Sequence, residues 1–197
     1  SNETSFSIVG FAGMDPLGQG FMVNAPFTPA YVERWAPLSF LTLNTNDAAL
    51  TVAVAADDIP GNIFDGLPIS PDSVRVRVVT ERTDLVDAWG TLVIPGGTYD
   101  VLREKRTEYR EVRLDAKVGF LPWTDITDIA LEFLPIDELG ADTLVTYNFW
   151  SDDAKEAVAV INADPSGTEV QSVTFKSDDV ISSVQNVTTT KPKVYIY

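Results

Sequence analysis

Leu92-Val93-Ile94-Pro95-Gly96-Gly97-Thr98-Tyr99-Asp100-Val101-Leu102 is the stretch from which the fold can be read. Two runs rich in β-branched, aliphatic and aromatic residues flank Pro95-Gly96-Gly97. Proline presets φ at the first turn position, and glycine supplies the positive φ that a tight hairpin needs. The stretch therefore predicts two antiparallel strands joined by a short turn. Asp164-Pro165-Ser166-Gly167 has the same chemistry and predicts a second hairpin, between strands at 156–162 and 168–176.

Away from these turns the pattern is period-two alternation, the mark of half-buried strands. Val74, Val76 and Val78 alternate with Arg75 and Arg77, so valines line one face and guanidiniums the other. Val145, Tyr147 and Phe149 alternate with Leu144, Thr146 and Asn148. Val158 and Val160 alternate with Ala157, Ala159 and Ile161, and the small alanines predict burial on both faces. Val173 and Phe175 belong to a further strand. From Arg103 to Arg113 the chain is crowded with charge. Tyr99, Val101, Thr107 and Tyr109 share one parity and Val112 and Leu114 the other, which predicts a β-bulge or a break near Arg110-Glu111. A helix competes here, because Glu and Arg are good helix formers. The β-branched and aromatic flanks favour a strand.

The first seventy residues are less regular. Phe6, Ile8 and Phe11 predict an opening strand, Phe21-Met22-Val23 another and Leu50 to Val54 a third. Pro26, Pro29, Pro37, Pro60, Pro68 and Pro71 predict extended loops between them. Gly119 to Asp128 reads as a long loop and Asp178 to Ile181 as a last short strand or turn, and no long helix is predicted. From Ser182 the composition changes to that of an extended linker. The reading is an all-β, antiparallel domain over residues 1–181, followed by a linker over 182–197. Its architecture is either a β-sandwich or a strongly curved half-barrel sheet, covered by a loop-rich, proline-rich N-terminal segment.

Composition narrows the chemistry. The 197 residues include no cysteine and no histidine. Thiol nucleophiles, Cys or His zinc sites, Ser-His-Asp triads and imidazole acid–base catalysis are thereby excluded. With 29 acidic residues against 14 basic ones the formal net charge is −15. Such a charge repels phosphate backbones and anionic lipid, so nucleic acid and membrane surfaces are not expected as partners. The longest apolar run, Ala48 to Ala56, is far short of the roughly 18 residues of a membrane-spanning helix, and direct membrane insertion is not expected. The basic residues cluster between 73 and 117, interleaved with acids, as on the mixed-charge solvent face of a β-ribbon; a dedicated anion or partner site is the alternative.

Asp57-Asp58, Asp152-Asp153, Asp178-Asp179 and the pair Asp125 and Asp128 could offer oxygen ligands to calcium. None follows the spaced Asp-x-Asp-x-Asp-Gly pattern, so turn acids are the better reading and no metal or cofactor is expected. A glycosidase needs two carboxylates about 5–9.5 Å apart across a cleft. No particular pair is singled out, and no catalytic residue is assigned. Trp89 and Trp150 lie in strand runs and read as core. Trp123, close to Asp125, and Trp35 look loop-borne. An exposed aromatic beside a carboxylate suits stacking on a sugar or anchoring a protein, so Trp123, Asp125 and Trp35 are the candidate ligand-binding residues. The competing reading is an aromatic plug closing one end of the sheet.

Lys191-Pro192-Lys193-Val194-Tyr195-Ile196-Tyr197 resembles the junction at which cargo proteins of the bacterial type IX secretion system pass into their C-terminal sorting domain. A Tyr-Pro-Asn-Pro element normally follows there, whereas this chain stops at Tyr197. Val86 to Leu92, Gly97 to Arg103, Thr107-Glu108-Tyr109, Thr146 to Ser151 and Glu156 to Val160 are similar to stretches of uncharacterised exported proteins of that kind. The resemblance spans roughly residues 72–197. It implies a trimmed sorting domain and an extracellular or outer-membrane-surface location, and it brings no known activity. Gly97-Thr98-Tyr99 followed by Tyr147-Asn148-Phe149-Trp150 is more distantly similar to periplasmic half-barrel proteins of the lipoprotein-carrier type, which implies a concave apolar face. The function expected is a non-catalytic secreted or cell-surface domain that binds a glycan or a protein partner. The alternatives are a carrier of a hydrophobic ligand and a carboxylate-dependent hydrolase.

Overall fold

The computed structural model describes residues 4–15 and 20–177. The strand or turn expected at 178–181 and the linker at 182–197 lie outside the described residues. Among the described residues nine strands form one antiparallel sheet that is not closed into a barrel. They are β1 (Thr4–Met14), β2 (Met22–Ala36), β3 (Leu43–Ala55), β4 (Ser73–Ile94), β5 (Gly97–Lys117), β6 (Thr124–Asp125), β7 (Gly140–Trp150), β8 (Ala159–Ala163) and β9 (Val170–Phe175), with one helix, α1 (Thr127–Phe133). The strand order is β1-β2-β3-β4-β5-β7-β8-β9, and the short β6 pairs with β5. The all-β, antiparallel class expected from the alternation is what the chain adopts, in the single-sheet form.

Both expected hairpins are present. β4 and β5 turn through Pro95-Gly96, with Gly96 at φ 106°. β8 and β9 turn around Asp164, whose carboxylate accepts the backbone N–H groups of Ser166, Thr168 and Glu169, the last two at 2.7 Å. The Ser166 hydroxyl donates to the same carboxylate. Gly167, at φ 76°, offers its carbonyl to the Tyr147 hydroxyl at 2.9 Å, and a side chain there would begin 3.0 Å from that hydroxyl. The turn thus demands both the acid and the glycine that its sequence supplies.

The N-terminal third departs from expectation. It supplies three strands of the sheet, with Pro26 and Pro29 inside β2 rather than in loops, while the segment after β3 packs Ile59, Phe64 and Leu67 on the core of Val74, Val76 and Leu114. The register explains the tolerance. Ile8 pairs with Tyr31 and Gly10 with Pro26, so residues 27–30 have no partner on β1 and Pro29 sits in an irregularity of that ladder, where a strand tolerates proline. Asn46 of β3 stitches this region, its side-chain oxygen accepting the Val32 N–H and its amide donating to the Ala30 carbonyl. The loop expected at 119–128 is also shorter than predicted, because it gives way to β6 and α1. Ile126 donates its N–H to the Leu114 carbonyl, and Leu114 donates to the Thr127 hydroxyl at 2.9 Å, which clips this segment to β5. A seven-residue helix is too short for its period to be visible in sequence.

Contacts group the chain into two compact units. One comprises residues 44–83, 108–143 and the described part of 1–37; the other comprises 38–43, 84–107 and the described part of 144–197. The first has a core of Ile59, Phe64, Leu67, Val74, Val76, Val112, Leu114, Ala116, Ile126, Ala130, Leu134, Ile136 and Leu139, with a smaller cluster of Val23, Ala25 and Leu50. The second is built on Phe149, Val158 and Ala159, with Leu92, Tyr99, Val101, Tyr147 and Ile161 against them.

β5 runs unbroken from Gly97 to Lys117, so neither a helix nor a break interrupts it. Its change of parity coincides with a change of core. Tyr99 and Val101 serve the core of one unit, and Val112, Leu114 and Ala116 serve the core of the other.

Candidate functional site

Trp123 and Asp125 sit in the first unit on a ladder of alternating charge. Arg75 and Arg77 project from β4 on the face opposite Val74 and Val76. Asp115 of β5 lies between them, only 2% exposed. Its Oδ2 accepts Nε of both arginines at 2.8 Å, and its Oδ1 accepts Nη2 of Arg77, again at 2.8 Å. Arg77 then reaches Asp125 Oδ2 at 3.1 Å, and Arg113 meets the same oxygen at 3.0 Å. Arg113 ends the series on Glu111 at 2.7 Å. Three guanidiniums and three carboxylates alternate without a gap. Paired arginines of this kind are rigid forks rather than floppy cations.

Trp123 is half-buried and stacks on this ladder, with the Arg75 guanidinium 4.8 Å from its ring centroid. Before it comes a protruding apolar loop. Phe120 is 98% exposed, Leu121 51% and Val118 37%. The loop is tied down by the Gly119 N–H donating to Asp72 and by the Leu121 N–H donating to the Val118 carbonyl. Two features thus adjoin in sequence: an aromatic-aliphatic projection and a stiff arginine-rich face.

The ladder also decides what its acids can do. Burial would push the Asp115 carboxyl up, but hydrogen bonds from Arg77 and Arg75 outweigh this and hold it below the ordinary range. At Asp125 burial opposes ionisation too, yet the Thr127 N–H and hydroxyl and then Arg113 hold it at about 2. Carboxylates so committed are poor general acids or bases. Asp125 has a stability consequence with a definite sign. Its value in the folded protein lies below the ordinary 3.8, so it contributes stability that is complete above pH 3.8 and is lost as pH falls through about 2. Asp125→Asn is expected to flatten that part of an acid-unfolding curve followed by circular dichroism, leaving the curve above pH 4 parallel to the parent's.

Trp35 does not join this group. It lies on β2, paired with Ser5 of β1, and is a half-buried strand residue rather than loop-borne. In the sheet order β3 and β4 stand between β2 and the β5 strand that carries Asp115. Trp89 also departs from expectation: it is 70% exposed on β4, not core, because it shares the outward parity of Thr91 and Val93. Parity alone marks which residues share a face, not which face is covered.

Sequence reading missed a second cluster, in the other unit. Asp84 and Glu104 are each 1% exposed, and one guanidinium serves both. Arg106 donates from Nε to Asp84 at 3.0 Å and holds Nη2 3.5 Å from Glu104. Asn148 donates to Glu104 at 3.3 Å. Burial pushes the Glu104 carboxyl up, the neighbouring Asp84 adds to this, and Arg106, Trp150 and Asn148 work against it. The only sequence signal was polar residues at alternate positions where a buried strand face would be apolar. The same unit has an open groove of ≈ 440 Å³, lined by Lys155, Glu156, Val160, Phe175 and Lys176 among others. It is lined by charge as well as by apolar groups.

No protein family, no curated protein and no solved structure matches this chain.

Proposed function

We propose that this chain is a non-catalytic binding domain of an exported protein, and that it engages a protein partner through Phe120, Leu121, Trp123 and the arginine ladder behind them. The observation that carries the reading is the near-complete exposure of Phe120 beside a tryptophan stacked on a paired arginine. Tryptophan and arginine are the residues most enriched where protein interfaces concentrate their binding energy. A glycan is the second reading. It is the less favoured because Asp125 already spends its oxygens on Arg77, Arg113 and Thr127, and one face of Trp123 is occupied by Arg75. The exported location rests on the resemblance of the tail to a secretion-sorting junction.

A photo-reactive phenylalanine analogue at position 120 tests the proposal on the intact surface of the producing cell. One dominant protein adduct is expected. Excess unlabelled domain should compete it away, and the Phe120→Ser/Trp123→Ala variant should compete at least about tenfold less well. Adducts that both proteins compete equally would sink the proposal. Array binding to a glycan that Trp123→Ala abolishes would transfer the site to sugars.

A further inference from the structure

We infer that the chain associates with a second copy of itself through β1, the two strands running antiparallel about Val9. β1 is terminal in the sheet order, and β2 covers one of its edges. Among the described residues nothing pairs with the other edge. A terminal strand presents a row of unpaired N–H and C=O groups, and proteins usually blunt it with lysine, proline or shortness. β1 uses none of these devices. It is 11 residues long, and from Thr4 to Met14 it has no charge and no proline. None of its residues is buried; Phe6 is 58% exposed, Val9 73% and Met14 53%. The opposite terminal strand is different, since β9 has 6 residues and is flanked by Glu169 and Lys176.

The residue pattern of β1 selects a second copy as the occupant. The chain carries a net charge of −15, so most ways of apposing two copies set like charges together. β1 is a stretch where they do not. Paired on itself about Val9, it sets Phe6 opposite Ala12, Ser7 opposite Phe11, Ile8 opposite Gly10, Ser5 opposite Gly13 and Thr4 opposite Met14. Each large side chain meets a smaller one, and the bare backbone of Gly10 lies under a branched aliphatic group. The β1–β2 pairing has two irregularities: Glu33 is skipped on β2, and Val9, the one β1 residue without a partner on β2, lies opposite residues 27–30. A single strand pair is at the small end of stable interfaces, which sets the expected dissociation constant on the order of 10 µM.

Sedimentation velocity on the full chain, from about 1 to about 200 µM, tests this. The parent chain is expected to pass from monomer to dimer across that range. Val9 meets its own copy, so Val9→Lys and Val9→Glu should each associate at least about tenfold more weakly. An equimolar mixture of the two should recover a one-to-one dimer. Their thermal unfolding should match the parent's, because position 9 is exposed. The chain has no cysteine of its own, which permits a second readout. Under mild oxidation Val9→Cys should form a disulfide-linked dimer much faster than a control cysteine at exposed Thr98. A parent that stays monomeric throughout, a Val9→Lys chain that still dimerises, or a mixture that does not recover the dimer would each overturn the inference.

Discussion

Arg106→Ala is expected to lower the free energy of unfolding at pH 7 by about 3–5 kcal/mol, the usual cost of stranding buried charge. The guanidinium is 13% exposed and the two carboxylates it serves are 1% exposed, so water cannot take its place. The loss should shrink on acidification, as Glu104 escapes by binding a proton. Glu104 itself supplies the control. Its carboxyl titrates above the ordinary 4.5 in the folded protein, so folding favours its protonated form. Parent stability should therefore fall as pH rises from 4.5 through the folded value, and Glu104→Gln should remove that fall. Urea unfolding followed by tryptophan fluorescence at several pH values measures both. A loss below about 1 kcal/mol in Arg106→Ala would mean that the two acids do not depend on it.

Leu114→Ala is the second large effect, at about 3–4 kcal/mol. Leu114 is 0% exposed in the main core of its unit. Its backbone also accepts the Ile126 N–H and donates to Thr127, the two bonds that seat the segment bearing Trp123 and Asp125. The cavity should therefore loosen the candidate binding face as well as the core. Leu114→Met, which nearly conserves volume, should cost less than about 1.5 kcal/mol in the same urea experiment and leave the face intact. Equal losses for the two variants would show that packing at this position does not carry the effect.

How much was legible in sequence depended on the range of the interaction. Pro95-Gly96 and Asp164-Pro165-Ser166-Gly167 act within four residues, and both turns formed where their chemistry put them. Trp123 and Asp125 were singled out as neighbours in sequence, and both sit on the arginine ladder. The arginines themselves read first as a solvated face and only second as a partner site, because their partners are remote: Asp115 is 40 positions from Arg75 and Asp125 is 48 from Arg77. The prolines of β2 misled for a similar reason. A proline forbids a donor at one position, but whether a donor was needed there depends on the register against β1.

By itself the sequence determined the all-β class, the two proline-glycine hairpins and the absence of thiol and imidazole chemistry, since alternation, turn residues and composition are properties of short stretches. Only the tertiary structure decided which side of each strand would be covered. It turned Trp89 outward, buried Asp84 and Glu104 around a single guanidinium, and gave the two ends of β5 to different cores. The physical reason is that period two assigns residues to faces, while burial of a face depends on which distant strand or segment packs against it.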